Sequence, residues 1–281
     1  WEPASNGKRM NDWLTNMGDW NISRKRYYGM PLPFYPCDCG HITVVGSKAE
    51  LREHAVDPAQ VDALPELHRP WVDEVKIKCP HCGKEVSRVS DIGDVWLDAG
   101  IVPFSTFGYF TDREAWEKNF PAEWVTEMHE QVRLWFYSML FMSTVLVGKA
   151  PYERVVTNGM VVAEDGSKFS KTGFMIKFDE AAEKIGADTV RYLYASAPTN
   201  NDVRFGYNLG DEARRKMLGF WNIYTFFDTY AQLDKPNFAE YKVDFSKLTP
   251  MDKWLVVRTN EYLKKATANM DDYKSFALIK D

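Results

Sequence analysis

The sequence predicts an α/β chain that carries a small cysteine-bounded insert and ends in helices, and three observations predict it. Two close thiol pairs, Cys37-x-Cys39 and Cys79-x2-Cys82, bracket a segment with short β-like runs. A β-rich stretch from Arg154 to Val162 runs through a polar turn, Ala163-Glu164-Asp165-Gly166, into a lysine-bearing loop ahead of a helix from about Asp179. That order places ligands at the carboxyl ends of parallel strands. From Asn208 onward, helical spacing takes over.

At 281 residues the chain exceeds one average domain, so two domains are expected. Apolar residues make up 45% and charged residues 27%, with ten Trp and seventeen Phe, which supplies a core and argues against general disorder. The longest apolar run, near Leu134 to Val147, is interrupted by Ser138, Ser143 and Thr144 and falls short of a bilayer span. It reads as a buried helix, with no membrane partner. The start, Trp1-Glu2-Pro3, has neither a basic nor a hydrophobic leader region, so a cytoplasmic setting is expected. A formal net charge of -5 argues against a polycationic protein and leaves room for a local basic face that meets phosphate.

Residues 1–34 include Trp20 to Pro33, which mixes basic and aromatic residues before a proline-rich exit and reads as a helix or turn feeding a short strand. Residues 35–90 hold both thiol pairs, each followed by Gly, with β-like runs at Ile42 to Val45 and Val72 to Ile77. In residues 91–205 the run Ile92 to Gly100 and the aromatic stretch to Phe110 read as a loop, Pro121 to Val125 as a short strand, and Glu130 to Val147 as a helix packed on several sides. Residues 206–281 read as helices at Asn208 to Ala231 and Met251 to Ile279, joined by a mainly polar connection. The end, Ile279-Lys280-Asp281, shows no cap, and one amphipathic helix cannot bury its own stripe, so the natural protein is expected to continue.

Three constellations carry chemistry. Cys37, Cys39, Cys79 and Cys82 would form a closed, all-thiolate structural Zn2+ site, the ion replacing the large hydrophobic core that so small an insert lacks. Four reduced cysteines without metal are the alternative, and His41 and His81 read as bystanders. Lys168 and Lys171 flank Ser170 just after a Gly turn, which suits a polyphosphate whose charge grows during nucleotidyl transfer; a solvated Lys/Ser loop is the plainer alternative. Glu127, Glu130, Gln131 and Arg133 precede Trp135, with Glu127 and Glu130 one helical turn apart. Glu130 and Gln131 can bond a ribose or an amino group, or the acidic residues simply complement a helix dipole. Trp96, between Asp94 and Asp98, either walls an apolar side-chain pocket or belongs to the core.

In this order the segments resemble the class I aminoacyl-tRNA synthetases for isoleucine, valine and leucine, over about Trp13 to Ala277. Trp20-Asn21-Ile22-Ser23-Arg24-Lys25-Arg26-Tyr27-Tyr28-Gly29 is similar to the family's re-entry into the catalytic domain, and Asp94-Val95-Trp96-Leu97-Asp98-Ala99-Gly100 to its Asp-Val-Trp-Phe-Asp-Ser-Gly signature. Lys168-Phe169-Ser170-Lys171-Thr172 resembles its Lys-Met-Ser-Lys-Ser loop, and Gly186-Ala187-Asp188-Thr189-Val190-Arg191 the helix that follows. Ser196-Ala197-Pro198 to Arg204-Phe205, then Trp221-Asn222, lie nearest the isoleucine members.

The resemblance implies the second half of a Rossmann-type catalytic domain, a zinc-binding insert at 35–90 and the truncated start of an anticodon-binding helical bundle at 206–281. It implies activation of isoleucine with ATP and Mg2+ to an aminoacyl-adenylate, then transfer to tRNA, by a monomeric parent protein. Lys168, Ser170 and Lys171 would be catalytic, with both lysines on the ATP phosphates. Gly159 and Met160 would lie near the adenine, Glu127, Glu130 and Gln131 near the ribose and amino group, and Trp96 and Tyr28 at the amino-acid pocket. No His-x-Gly-His motif occurs among the five histidines, so the isolated chain is expected not to activate amino acids. Met128 stands where the family has Gly, Glu130 where it has Asp, Tyr28 where it has Trp and Phe169 where it has Met. A valine-type enzyme and a diverged, non-catalytic zinc-containing RNA-binding or interaction module are the other readings.

Overall fold

A computed structural model describes residues 1–240 and 242–280. Contacts divide the chain into two interleaved compact units: Trp1–Lys8, Trp124–His129 and Arg154–Asp281 form the first, Arg9–Glu123 and Glu130–Glu153 the second. No helix among the described residues is long and apolar enough to cross a membrane.

In the first unit, Glu2 forms a parallel bridge with Val156, its N–H on the Val155 carbonyl at 2.8 Å and its carbonyl accepting from Thr157 at 2.8 Å. The strand Tyr152–Asn158 also pairs with Ala122–Met128. Beyond it, Val161–Ala163 runs parallel to Val203–Phe205, in the register Val161↔Val203 to Ala163↔Phe205. Between those partners the chain forms the helices Phe178–Ile185 and Ala187–Ala195. Ala181, Ile185, Val190 and Phe205 are buried together, with Phe169, Ile176, Leu193 and Tyr207 against them. This is the strand, loop and helix order expected from the sequence, and its core sits directly beneath the lysine-bearing loop.

The helix Tyr207–Asp234 follows, then Pro250–Asp271, which opens on a capping box between Thr249 and Asp252, and Ser275–Lys280. Burial explains little of either long helix. Only Gly210 and Ala213 are buried in the first and no residue in the second, while Phe220, Trp221, Ile223 and Trp254 are exposed.

The second unit contains the cysteine segment. Phe34–Pro36 and Ile42–Val44 form one antiparallel hairpin, Ile77–Lys78 and Glu85–Val86 another. Two short helices lie between them, Lys48–His54 capped by Ser47 and Pro58–Asp62 capped by Asp57. The segment leaves and rejoins the chain at one place, since Val89 N–H donates to the Phe34 carbonyl at 2.9 Å. It has a core of its own, built from Tyr35, Val45, Leu51, Ala55, Val61, Val72, Val75 and Ile77. That corrects the expectation of an insert lacking one: its two helices close over the hairpins, which short β-like runs alone could not do.

Four further differences bear on the site. The stretch read as a loop folds into the helices Val95–Gly100 and Val102–Ser105, because Asp94 caps the first by accepting from Trp96 N–H at 3.2 Å. The helix read from Glu130 begins instead at Trp135, after a 3-10 turn, His129–Arg133, and a break at Leu134 with φ -123° and ψ -102°. Glu127 lies on the strand Ala122–Met128, so the one-turn helical spacing assigned to Glu127 and Glu130 does not exist. Lastly, Ala4–Asn16 forms a helix that the sequence reading did not place.

Candidate functional site

In the cysteine segment, two tight turns present the four sulfurs. Cys37 N–H donates to the His41 carbonyl at 2.8 Å and Cys79 N–H to the Lys84 carbonyl at 2.8 Å. Gly40 and Gly83 adopt φ of 86° and 73°, left-handed values at which a side chain would be strained. All four Sγ atoms lie within 4.8 Å of one another, with Cys37 to Cys82 at 3.5 Å and Cys39 to Cys79 at 3.8 Å. A zinc ion with Zn–S bonds of about 2.3 Å needs S···S edges of roughly 3.8 Å, so the group fits this donor set. Crowding also splits the thiols. The Cys39 N–H favours the Cys37 thiolate, but burial and the neighbouring sulfurs push Cys37 up to about 12. Burial opposes ionisation of Cys79, yet the N–H groups of Cys82 and His81 and the thiols of Cys37 and Cys39 bring it to about 7. A divalent cation would relieve that competition. His41 and His81 stack on each other, ring centroids 6.1 Å apart.

The second unit also has a cleft of about 340 Å³ beside Asp94. Asp94 is 4% exposed; its Oδ2 accepts from Trp20 Nε1 at 2.9 Å and pairs with the Arg24 guanidinium. Trp20, Trp96, Trp13 and Tyr137 supply the aromatic walls. Trp20 is edge-on to Tyr137 at 5.7 Å and to Phe141 at 5.2 Å, and Arg133 lies over Trp13 at 5.6 Å. Aromatic walls around one paired carboxylate suit a small apolar side chain attached to a polar group. Trp96 is therefore in the cleft, and Trp20 joins it although the sequence reading did not select it. Its signal was the Asp94 partner, 74 residues away. Tyr28 is placed elsewhere, 73% exposed and stacked on His68 at 5.3 Å.

Of the remaining second-unit candidates, Gln131 Oε1 accepts from Trp135 N–H at 3.0 Å and so caps the helix Trp135–Val147, and Glu130 lies 4.0 Å from Arg9.

The first unit holds the others. Gly159 passes so close to the Asn201 carbonyl that a Cβ there would lie 2.2 Å from its oxygen, and Met160 N–H donates to Asp202 Oδ1 at 2.8 Å. Glu127 accepts from Met128 N–H at 3.3 Å. After the strand Val161–Ala163, Lys168 bridges back to Val162, and Gly173 N–H donates to the Ser170 carbonyl at 3.2 Å. Phe169 is half-buried against Phe174, while Lys168, Ser170 and Lys171 are exposed. Among the described residues neither lysine has an ion-pair partner, so both ammonium groups are available to an anion.

The family model for class I tRNA synthetases (I, L, M and V) matches residues 1–206. The chain belongs to this family. It is 40% identical over 272 residues to the isoleucine–tRNA ligase of Clostridium novyi (strain NT), covering 95% of this chain and 26% of that protein. It is 38% identical over 279 residues to the isoleucine–tRNA ligase of Methanothrix thermoacetophila, covering 97% of this chain and 26% of the relative. The chain thus spans about a quarter of the length of these synthetases. Among solved structures it resembles Agrobacterium radiobacter K84 LeuRS, seen in a ternary complex with tRNA and LeuAMS, with a TM-score of 0.70 and 19% identity. That match covers 99% of this chain and 38% of the other and speaks to the fold.

Proposed function

We propose that the chain is the part of an isoleucine–tRNA ligase that handles ATP, with Mg2+, and the amino acid, in a protein that forms isoleucyl-adenylate and transfers the isoleucyl group to tRNA. The observation that carries this reading is the pair of exposed, unpaired ammonium groups of Lys168 and Lys171 on the loop that leaves the strand Val161–Ala163. Curated relatives named for isoleucine, matched over nearly the whole chain, support the choice of amino acid.

The chemistry follows from charge. When a carboxylate attacks the α-phosphate of ATP, negative charge gathers on the departing pyrophosphate, and cations that meet it most strongly in the transition state lower the barrier. Lys168 and Lys171 have that role, with the Ser170 hydroxyl as a further donor. Gly159 and Met160 offer a backbone edge to the adenine, and Glu127 accepts from the ribose. In the second unit Glu130 and Gln131 serve the amino group and ribose. Trp96 and Trp20 hold the branched apolar side chain, and the paired Asp94 fixes the Trp20 ring and the Trp96 backbone. Zn2+ on Cys37, Cys39, Cys79 and Cys82 fixes the two turns and takes no part in the reaction. The helices after Gly206 begin the region that meets tRNA.

Titration of the chain with Mg–ATP, followed by calorimetry, is the test. The Lys168→Ala/Lys171→Ala variant is expected to bind at least about tenfold more weakly, since each lysine contributes a charge-assisted contact of about 1.5–3 kcal/mol. Equal affinity in parent and variant would remove the phosphate role.

A further inference from the structure

We infer that Glu164 is a positioning residue: it fastens the entry of the Lys168–Lys171 loop to the first turn of the helix Tyr207–Asp234, so that this helix sets where the two ammonium groups stand. The inference deepens the phosphate role proposed above and rests on it for its meaning, though not for its geometry.

Glu164 sits in the turn between Val161–Ala163 and Lys168, a turn held by Gly166 N–H on the Ala163 carbonyl at 2.9 Å and Ala163 N–H on the Ser167 carbonyl at 2.8 Å. Its carboxylate does not face solvent alone. Oε1 accepts from Leu209 N–H at 2.9 Å and Oε2 from Asn208 Nδ2 at 2.9 Å, contacts 45 and 44 residues away in sequence. The helix needs that acceptor, because its N-cap is Gly206, which has no side chain to cap with. Gly206 is also where the carboxylate must approach: a Cβ there would lie 2.3 Å from Glu164 Cγ. The Leu209 amide, helped by the Asn208 side chain and N–H, holds the Glu164 carboxyl below its usual range although burial opposes it. The bond is thus made by the ionised form, next to the positive end of the helix dipole.

A second fastening meets the loop at its exit. Tyr207 Oη donates to Glu180 Oε1 at 2.7 Å, and Lys184 Nζ donates to the same oxygen at 2.8 Å. The segment between Glu164 and Glu180, which contains both lysines, is therefore tied at each end to residues 207–209 of one helix. Past the Lys168 bridge to Val162, the backbone bonds of the loop tip are long, with Ser170 N–H on the Phe174 carbonyl at 3.3 Å and Gly173 N–H on the Ser170 carbonyl at 3.2 Å. A loop of this kind takes its position from its anchors.

Residue-resolved hydrogen exchange on the chain tests this with Glu164→Ala, Glu164→Gln and Asn208→Ala. Glu164→Ala is expected to raise exchange at Leu209 and also across residues 167–174 by at least tenfold, with Val155 and Val190 unchanged as reporters of the fold. Glu164→Gln keeps one acceptor and should move both regions less, and Asn208→Ala should loosen the loop from the helix side without touching it. Faster exchange at Leu209 alone would make Glu164 a helix cap only and overturn the inference, as would no change in either place. Should Glu164→Ala fail to fold, the milder pair decides by the same criterion. Adding Mg–ATP separates the two claims: absence of loop protection in the parent chain counts against the phosphate role, whereas loop exchange that stays unchanged in the variants counts against Glu164.

Discussion

Removing the zinc proposed for the four cysteines with a chelator at neutral pH is expected to melt the two sulfur-bearing turns while the helices Lys48–His54 and Pro58–Asp62 stay folded. A structural thiolate site is worth about 10–16 kcal/mol in isolated zinc peptides. Here it does not act alone, because eight buried side chains, from Tyr35 to Ile77, pack into a separate core. At roughly 1.5–3 kcal/mol for each large side chain, that core contributes on the same scale. The turns have no such support: Cys39 and Cys82 are exposed, and without an ion the close sulfurs compete for protons. Amide exchange at Gly40 and Gly83 should therefore rise on the order of a hundredfold or more, as expected when a metal's binding energy is folding energy. Leu51 and Ala55 should change far less. Elemental analysis of the untreated protein should return about one zinc per chain. A metal-free preparation that is equally protected at both glycines would refute the site.

Arg88→Met is expected to be the most damaging single change in the same segment. The Arg88 side chain is 2% exposed, donates to the Leu32 carbonyl at 3.0 Å and the Asp91 carbonyl at 2.9 Å, and pairs with Asp73. It thus clamps both chain ends of the insert to the 3-10 turn Trp71–Glu74, and Arg69 reaches the same carboxylate at 2.7 Å. Arg69 keeps the Asp73 charge paired, so the cost comes from the acceptors that lose their buried donor, about 1–3 kcal/mol for each carbonyl left unsatisfied. Thermal unfolding by circular dichroism should show a midpoint lower by on the order of 10 °C. A loss under about 1 kcal/mol would mean that the clamp does not hold the segment.

Asp73 gives that clamp a pH signature. Partial burial opposes its ionisation, but the hydrogen bonds from Arg88 and then Arg69 outweigh it and hold the carboxyl below its ordinary value of 3.8. Because the folded value is the lower one, its stabilisation is complete above the unfolded value and disappears as pH falls through the folded one. The stability gap between the parent and Asp73→Asn should be constant above about pH 5 and should shrink below 3.8. A gap that widens toward acid would reverse the assignment.

The local features were legible in the sequence. The Gly after each thiol pair follows from a turn that only a left-handed residue completes, and the loop around Lys168 follows from the polar turn ahead of it. Asp94 shows where such reading stops. As an N-cap, two residues from the amide it accepts, it was within reach of sequence and was missed because the aromatic run around it resembled a loop. As the partner of Trp20 and Arg24 it was out of reach.

By itself the sequence determined the strand, loop and helix order around Lys168, the thiol quartet, the dibasic loop and the helical character after Gly206, because each depends on residues a few positions apart. Tertiary structure alone decided that Trp20 shares the cleft with Trp96 while Tyr28 stacks on His68, that the insert has its own core, and that Glu164 caps a helix 44 residues on. Those pairings span tens of residues. They form only where packing of the intervening chain repays the entropy of closing the loop, a balance that no local pattern records.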